Sequence, residues 1–203
     1  MLAPTLLPCA CDCSLVFALA ATRTGEWTCG ARDGADAVML SAETSVGNHP
    51  VEVIKAMYKI IMRVEQEEDL YYKPFSPVLR EDRFISDCIC ANASSMAKTV
   101  KAQGIVTMTF SGYTAFKVSA FRPNCYVYVF TSNRDILKML SLVWGVRGFY
   151  YSNFESTDQT IDDIKAKLKT EGYTQKDDYV IHIASMPIAN RGKSNMLRIS
   201  HIK

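Results

Sequence analysis

Asp33-Gly-Ala-Asp-Ala-Val-Met-Leu-Ser-Ala-Glu-Thr-Ser-Val-Gly-Asn-His-Pro50 decides how this chain is read. Residues 37–40 are a short apolar run that predicts a buried strand. Ser41, Glu43 and Thr44 follow as a polar loop, and Gly47 and Pro50 lead into a long amphipathic helix. A strand that ends in polar residues and feeds a helix is one βα unit, and its polar tip is where α/β enzymes place chemistry. A single βα unit closes no barrel and buries neither of its own faces. The stretch is therefore expected to be the last piece of something larger, whose earlier pieces are missing from this chain.

Downstream, apolar residues at 51, 53, 54, 57, 58, 60, 61 and 64 form a broad helical stripe. His49-Pro50 opens this helix, and His49 is read as a surface residue. The acidic run from Glu65 to Asp69 closes it unfavourably for the helix dipole, so that end is expected to fray. The stripe is wide enough to need a partner, which predicts self-association. Residues 71–82, with Pro74 and Pro77, read as a linker between two structural units.

Beyond the linker, helices and strands alternate. Helices are predicted over 84–103, from Ser111-Gly112 to about 121, from the Ser132-Asn133 cap to about 143, and over 157–170. Strands are predicted over 105–108, 126–130, 146–151, 178–185 and 196–202. Such alternation implies a mostly parallel five-stranded sheet with helices on both faces. About ten residues without a helical period join the last two strands. A parallel crossover needs more chain than that, so the last strand is expected to be an antiparallel edge. His182, on a buried strand, reads as packed rather than catalytic.

Residues 1–32 differ from the rest. Their first part, 1–21, is apolar, and together they hold four of the seven cysteines: Cys9, Cys11, Cys13 and Cys29. No Lys or Arg precedes the apolar run at 15–21, which argues against a secretory signal. Cys9-x-Cys11-x-Cys13 suggests a soft-metal site, but no downstream cluster at familiar spacing completes one. The segment is read as a leader of unknown nature, expected to be disordered, or not native to the fold behind it. Cys88, Cys90 and Cys125 sit in apolar settings, a usage that suits a reducing cytoplasm. A formal charge of +2 implies neither a nucleic-acid nor a membrane-surface partner.

These residues resemble one family closely. Residues 33–44, with Gly47-x-x-Pro50-x-Glu52, are similar to the segment around the eighth barrel strand and helix of pyruvate kinase. Thr109-Phe-Ser-Gly-Tyr-Thr114, Phe121-Arg-Pro-Asn124, Thr131-x-Asn133 and Pro187 through Gly192-Lys-Ser-Asn195 resemble that family's C-terminal domain, in the family's order. The resemblance implies a terminal βα unit of a (β/α)8 barrel over 33–70, the linker at 71–82 and the C-terminal α/β domain over 83–203. It implies an intact cytoplasmic, tetrameric enzyme that transfers a phosphoryl group from phosphoenolpyruvate to ADP, giving pyruvate and ATP, with Mg2+ and K+. The family's catalytic lysine and metal ligands come from earlier barrel strands, which have no counterpart here. Ser41, Glu43 and Thr44 match only the edge of its active site. The chain alone is therefore expected to be inactive and to need no cofactor.

The C-terminal domain of that family often binds a phosphorylated sugar effector. By resemblance, the candidate phosphate-binding residues are Thr109, Ser111, Gly112, Thr114, Arg191, Gly192 and Lys193. The first four lie between a strand and a helix start, where backbone N–H groups and the helix dipole favour an anion. Arg191 and Lys193 supply cations from the last interstrand loop. Phe110 stands where effector-responsive members can carry a lysine, so one cation is lost. The plain alternative is that 109–114 is a helix cap and turn. Three functions remain: a piece of a pyruvate kinase, a stand-alone sensor of a phosphorylated metabolite, or a subunit-interaction module.

Overall fold

The computed structural model describes residues 17–18, 33–74, 82–154, 156–188 and 192–203. The elements are β1 (Phe17–Ala18), β2 (Ala37–Val38), α1 (Ala42–Ser45), α2 (Pro50–Val64), a 3-10 turn (Glu68–Leu70), α3 (Phe84–Val100), β3 (Gly104–Met108), α4 (Tyr113–Ala120), β4 (Tyr126–Thr131), α5 (Arg134–Leu140), β5 (Val146–Tyr150), α6 (Thr157–Thr170), β6 (Tyr179–Ala184) and β7 (Met196–His201).

Five strands form one sheet in the order β5-β4-β3-β6-β7. The first four are parallel, and β7 pairs antiparallel with β6, with Ile181 opposite Ile199. The chain steps from β3 out to β5 through α4 and α5. It then returns through α6 to the other side of β3, so the order reverses between β3 and β6. The strands bury both faces because each face has its own apolar layer. On one, Ala93 and Ala97 of α3 and Ala115 and Val118 of α4 pack on Ile105, Val127, Val129, Ile181 and Ile183. Small residues on the two helices let them lie close to the sheet. On the other, Ile161, Ile164 and Leu168 of α6 cover Val106, Tyr128, Phe130 and Val180. Phe130 stacks on Phe149 there, with ring centroids 5.0 Å apart. His182 is fully buried on this face, and burial lowers its pKa to about 3, so the ring is neutral.

The helix expected over 84–103 ends at Val100, because Lys101 takes a left-handed conformation (φ 51°) that bonds back to the last turn. The helix after Asn133 is also shorter than expected, stopping at Leu140.

The terminal βα unit is built differently. The run expected to be a buried strand contributes only Ala37 and Val38, both half-buried, and Met39 is exposed. Phe17–Ala18 pairs with it in parallel, so two residues of the segment expected to be disordered are extended strand. An orphan strand presents unpaired N–H and C=O groups, which template such pairing. The remainder of 1–32, including Cys9, Cys11, Cys13 and Cys29, lies outside the described residues. In α2, Val51, Ile54, Tyr58 and Met62 form an exposed apolar stripe.

Candidate functional site

The carboxyl ends of β3, β4 and β6 open onto one pocket, where the strand order reverses. Ligands of open α/β sheets bind at such a crevice. Its walls include Thr109, Ser111, Thr114, Gly192 and Lys193, so five of the seven candidate residues converge here. Gly112 lies in the same turn, and Arg191 lies outside the described residues. Ser41, Glu43 and Thr44 are elsewhere, at the tip of the terminal βα unit.

The loop into α4 satisfies part of its own backbone. Thr109 Oγ1 accepts from the Gly112 N–H at 3.1 Å, and Ser111 Oγ accepts from the Tyr113 N–H at 3.4 Å. Gly112 is required at this turn. Its φ is 81°, and a Cβ there would meet Ile136 Cγ2 and Phe116 Cε2, each at 3.0 Å. Asn133 caps α5, its Oδ1 accepting from the N–H groups of Asp135 and Ile136. Its amide Nδ2 also donates to the Phe110 carbonyl, which ties the two loops together.

Several groups that complete the pocket come from distant parts of the chain. Thr114 Oγ1 and Ser194 Oγ are 2.8 Å apart, and Ser86 Oγ donates to the Ser194 carbonyl at 2.9 Å. Ser132 and Ser185 add hydroxyls from the ends of β4 and β6. The Arg83 guanidinium lies over the Tyr113 ring, 4.1 Å from its centroid. The Tyr113 hydroxyl donates to Asp87 Oδ1 at 2.7 Å; burial, then that bond, raise its pKa. Lys117 pairs with the other Asp87 oxygen at 3.1 Å. Among the described residues the pocket lining thus carries the cations Arg83 and Lys193 and no carboxylate. Lys193 Nζ donates to the Asp82 carbonyl at 2.8 Å and pairs with its carboxylate, which that bond holds below the usual range. The cavity is about 120 Å3. That is below the ~300–1,000 Å3 of pockets that enclose a whole small ligand, so it suits one anionic group with the remainder outside.

At the other candidate loop, Glu43 turns back on the chain. Its Oε2 accepts from the Ser41 N–H at 2.9 Å, and backbone N–H groups hold its carboxyl below the usual range. Thr44 Oγ1 donates to the Ser41 carbonyl. These are bonds within one helical turn. Among the described residues no three His, Cys, Asp or Glu side chains gather to hold a metal ion. Burial pushes the Cys90 and Cys125 thiols up to about 12, which makes them poor nucleophiles.

Fold and pocket together define a doubly wound α/β domain with a polar, cation-edged crevice at its switch point. The chain belongs to the pyruvate kinase family: residues 87–200 match the family model described as "Pyruvate kinase, alpha/beta domain". It is similar to the pyruvate kinase of Clostridium acetobutylicum, 34% identical over 173 residues, covering 84% of this chain and 36% of that protein. It is also 33% identical to that of Geobacillus stearothermophilus over 168 residues, 82% of this chain and 28% of that one. The chain thus spans about a third of the length of these curated relatives. A crystal structure of pyruvate kinase from Cryptosporidium parvum shares the fold, with a TM-score of 0.72 and 23% identity over 89% of this chain and 36% of that one.

Proposed function

We propose that this chain serves as the regulatory and oligomerisation part of a cytoplasmic pyruvate kinase, and that its switch-point pocket takes the phosphoryl group of a sugar phosphate. The observation that carries this reading is the convergence of the α4 N-terminus, the hydroxyls of Ser111 and Thr114 and the Lys193 ammonium on one small pocket whose described lining holds no carboxylate. Each group favours a dianion: the helix end by its dipole, the hydroxyls as short donors, the cations by charge. Binding requires Lys193 to exchange Asp82 for the ligand and the weak Ser111 contact to open.

Thermal unfolding with ribose 5-phosphate, fructose 1,6-bisphosphate and unphosphorylated fructose tests the reading. A phosphorylated ligand at 100 times its Kd stabilises by about 2.7 kcal/mol, which raises Tm by roughly 5–10 °C for a chain of this size. The monophosphate is expected to do at least as well as the bisphosphate, because Phe110 adds no further cation to Arg83 and Lys193. K193A should remove most of the shift and leave the ligand-free Tm nearly unchanged, since an exposed ion pair contributes about 0–1 kcal/mol. No shift with either phosphate at millimolar concentration removes the proposal.

Phosphoryl transfer from phosphoenolpyruvate to ADP belongs, in this reading, to the intact enzyme. That reaction depends on metal and cation positioning, and the chain alone is proposed to be inactive. Pyruvate formation in a lactate dehydrogenase-coupled assay with Mg2+ and K+ would overturn that. The exposed stripe Val51, Ile54, Tyr58 and Met62 supports self-association, which size-exclusion chromatography with light scattering reads directly.

A further inference from the structure

At the amino ends of the strands, opposite the pocket, one buried cation joins the two parts of the molecule. Arg122 follows α4 in a left-handed conformation (φ 50°), and its side chain is 5% exposed. Nη2 donates to the Gly34 carbonyl and pairs with Asp36 Oδ1 at 2.8 Å, both at the entrance to β2. The guanidinium lies over Trp144, 4.9 Å from the ring centroid. The Trp144 indole N–H donates to Glu65 Oε1 at 3.2 Å, at the far end of α2, and the Tyr71 hydroxyl donates to the Glu65 carbonyl at 2.6 Å. Two backbone bonds, from the Tyr72 N–H to the Arg122 carbonyl and from the Lys73 N–H to the Phe121 carbonyl, lay the connecting segment along the same corner.

We propose that Arg122 is the positioning residue that seats the terminal βα unit on the α/β domain, fixing both ends of that unit through Gly34, Asp36 and, by way of Trp144, Glu65. The choice of an arginine bears on this. Burial alone raises the Asp36 pKa and lowers that of Arg122, each opposed by the other's charge, so neither is well placed without its partner. One guanidinium nitrogen, Nη1, is buried with no hydrogen-bond partner among the described residues. A well-packed apolar pair fills such a corner without that cost. What the planar guanidinium adds is direction: donors at fixed angles and a flat face for the indole. Register, rather than adhesion, is what the group supplies. The inference stands independently of phosphate binding.

Hydrogen exchange on the whole chain, followed by mass spectrometry, tests it. In R122M, peptides within 33–64 are expected to lose protection at least tenfold while those of β3, β4 and β6 keep theirs. R122K, which keeps the charge but loses the fork and the flat face, should lie between. D36N, a milder change, should open the same peptides, and adding it to R122M should open them little further, because both act on one contact. Equal loss of protection in both parts of the molecule would overturn the proposal. So would undiminished protection of 33–64 in R122M, its absence in the unmodified chain, or additive effects of the two substitutions. If R122M does not fold, D36N and R122K alone decide between the same outcomes.

Discussion

In the α/β domain, β3 and β4 lie between helices on both faces, and Ile105, Val106, Val127 and Val129 are fully buried. In the βα unit before it, the same order of strand, loop and helix gives a strand of two residues with Met39 half exposed and a helix with an uncovered apolar stripe. Both segments have the apolar runs and turn residues that such units need. The difference is the number of neighbours. A parallel strand keeps its length when layers cover it on both sides, and it shortens where they are missing.

The largest test of that contrast is to hollow each part in turn. Phe130 is fully buried and stacked on Phe149. F130A should cost about 3–5 kcal/mol and lower Tm by roughly 6–20 °C, while I54A on the exposed stripe should stay within about 0.5 kcal/mol. Urea unfolding of both variants checks this, and equal losses would break the comparison.

The next effect is confined to acid. His182 is neutral when folded, its pKa lowered to about 3 by burial and by the nearby Lys165 and Arg198, against a smaller opposing effect of Asp162. Above pH 6.5 the ring is neutral in both states and adds no pH dependence. Below it the unfolded chain takes up a proton that the folded chain refuses, so stability falls by up to about 1.4 kcal/mol per pH unit towards pH 3. H182L should remove that slope; parallel stability curves from pH 7 to 4 for variant and parent would contradict the assignment.

Two smaller effects sharpen the picture. N133A removes the two-donor cap of α5 and should cost about 1 kcal/mol, measurable by thermal unfolding at constant pH. Replacing Ile54 and Tyr58 together by serine should leave monomer stability nearly unchanged yet shift any concentration-dependent dimer to monomer in light scattering. A dimer that survives both serines would move the association surface away from α2.

The parallel sheet and its antiparallel last strand were legible because period, length and turn chemistry agree along each segment, and each of those signals is local. Half of the pocket was legible for the same reason: Thr109, Ser111, Gly112 and Thr114 are contiguous. The contacts that close the other half were not: Ser86 reaches Ser194 across 108 residues and Thr114 reaches it across 80, and although Gly192, Lys193 and Ser194 belong to a stretch that resembles the family, no local pattern marks Ser86. The partnership of Lys193 with Asp82 is hidden in the same way, since by sequence the aspartate is only the last residue of the linker expected over 71–82. The buried strand expected at 37–40 failed for the opposite reason. Its residues are apolar enough, but burial is a property of what lies above them.

Helix α4 has a consequence for how the two ends of this domain relate. Its first turn borders the pocket, and the residue just past its C-cap is Arg122. Eight residues of helix separate the two by about 12 Å. The helix is one stiff body, so a tilt imposed at one end appears at the other as a displacement, as in the two arms of a lever.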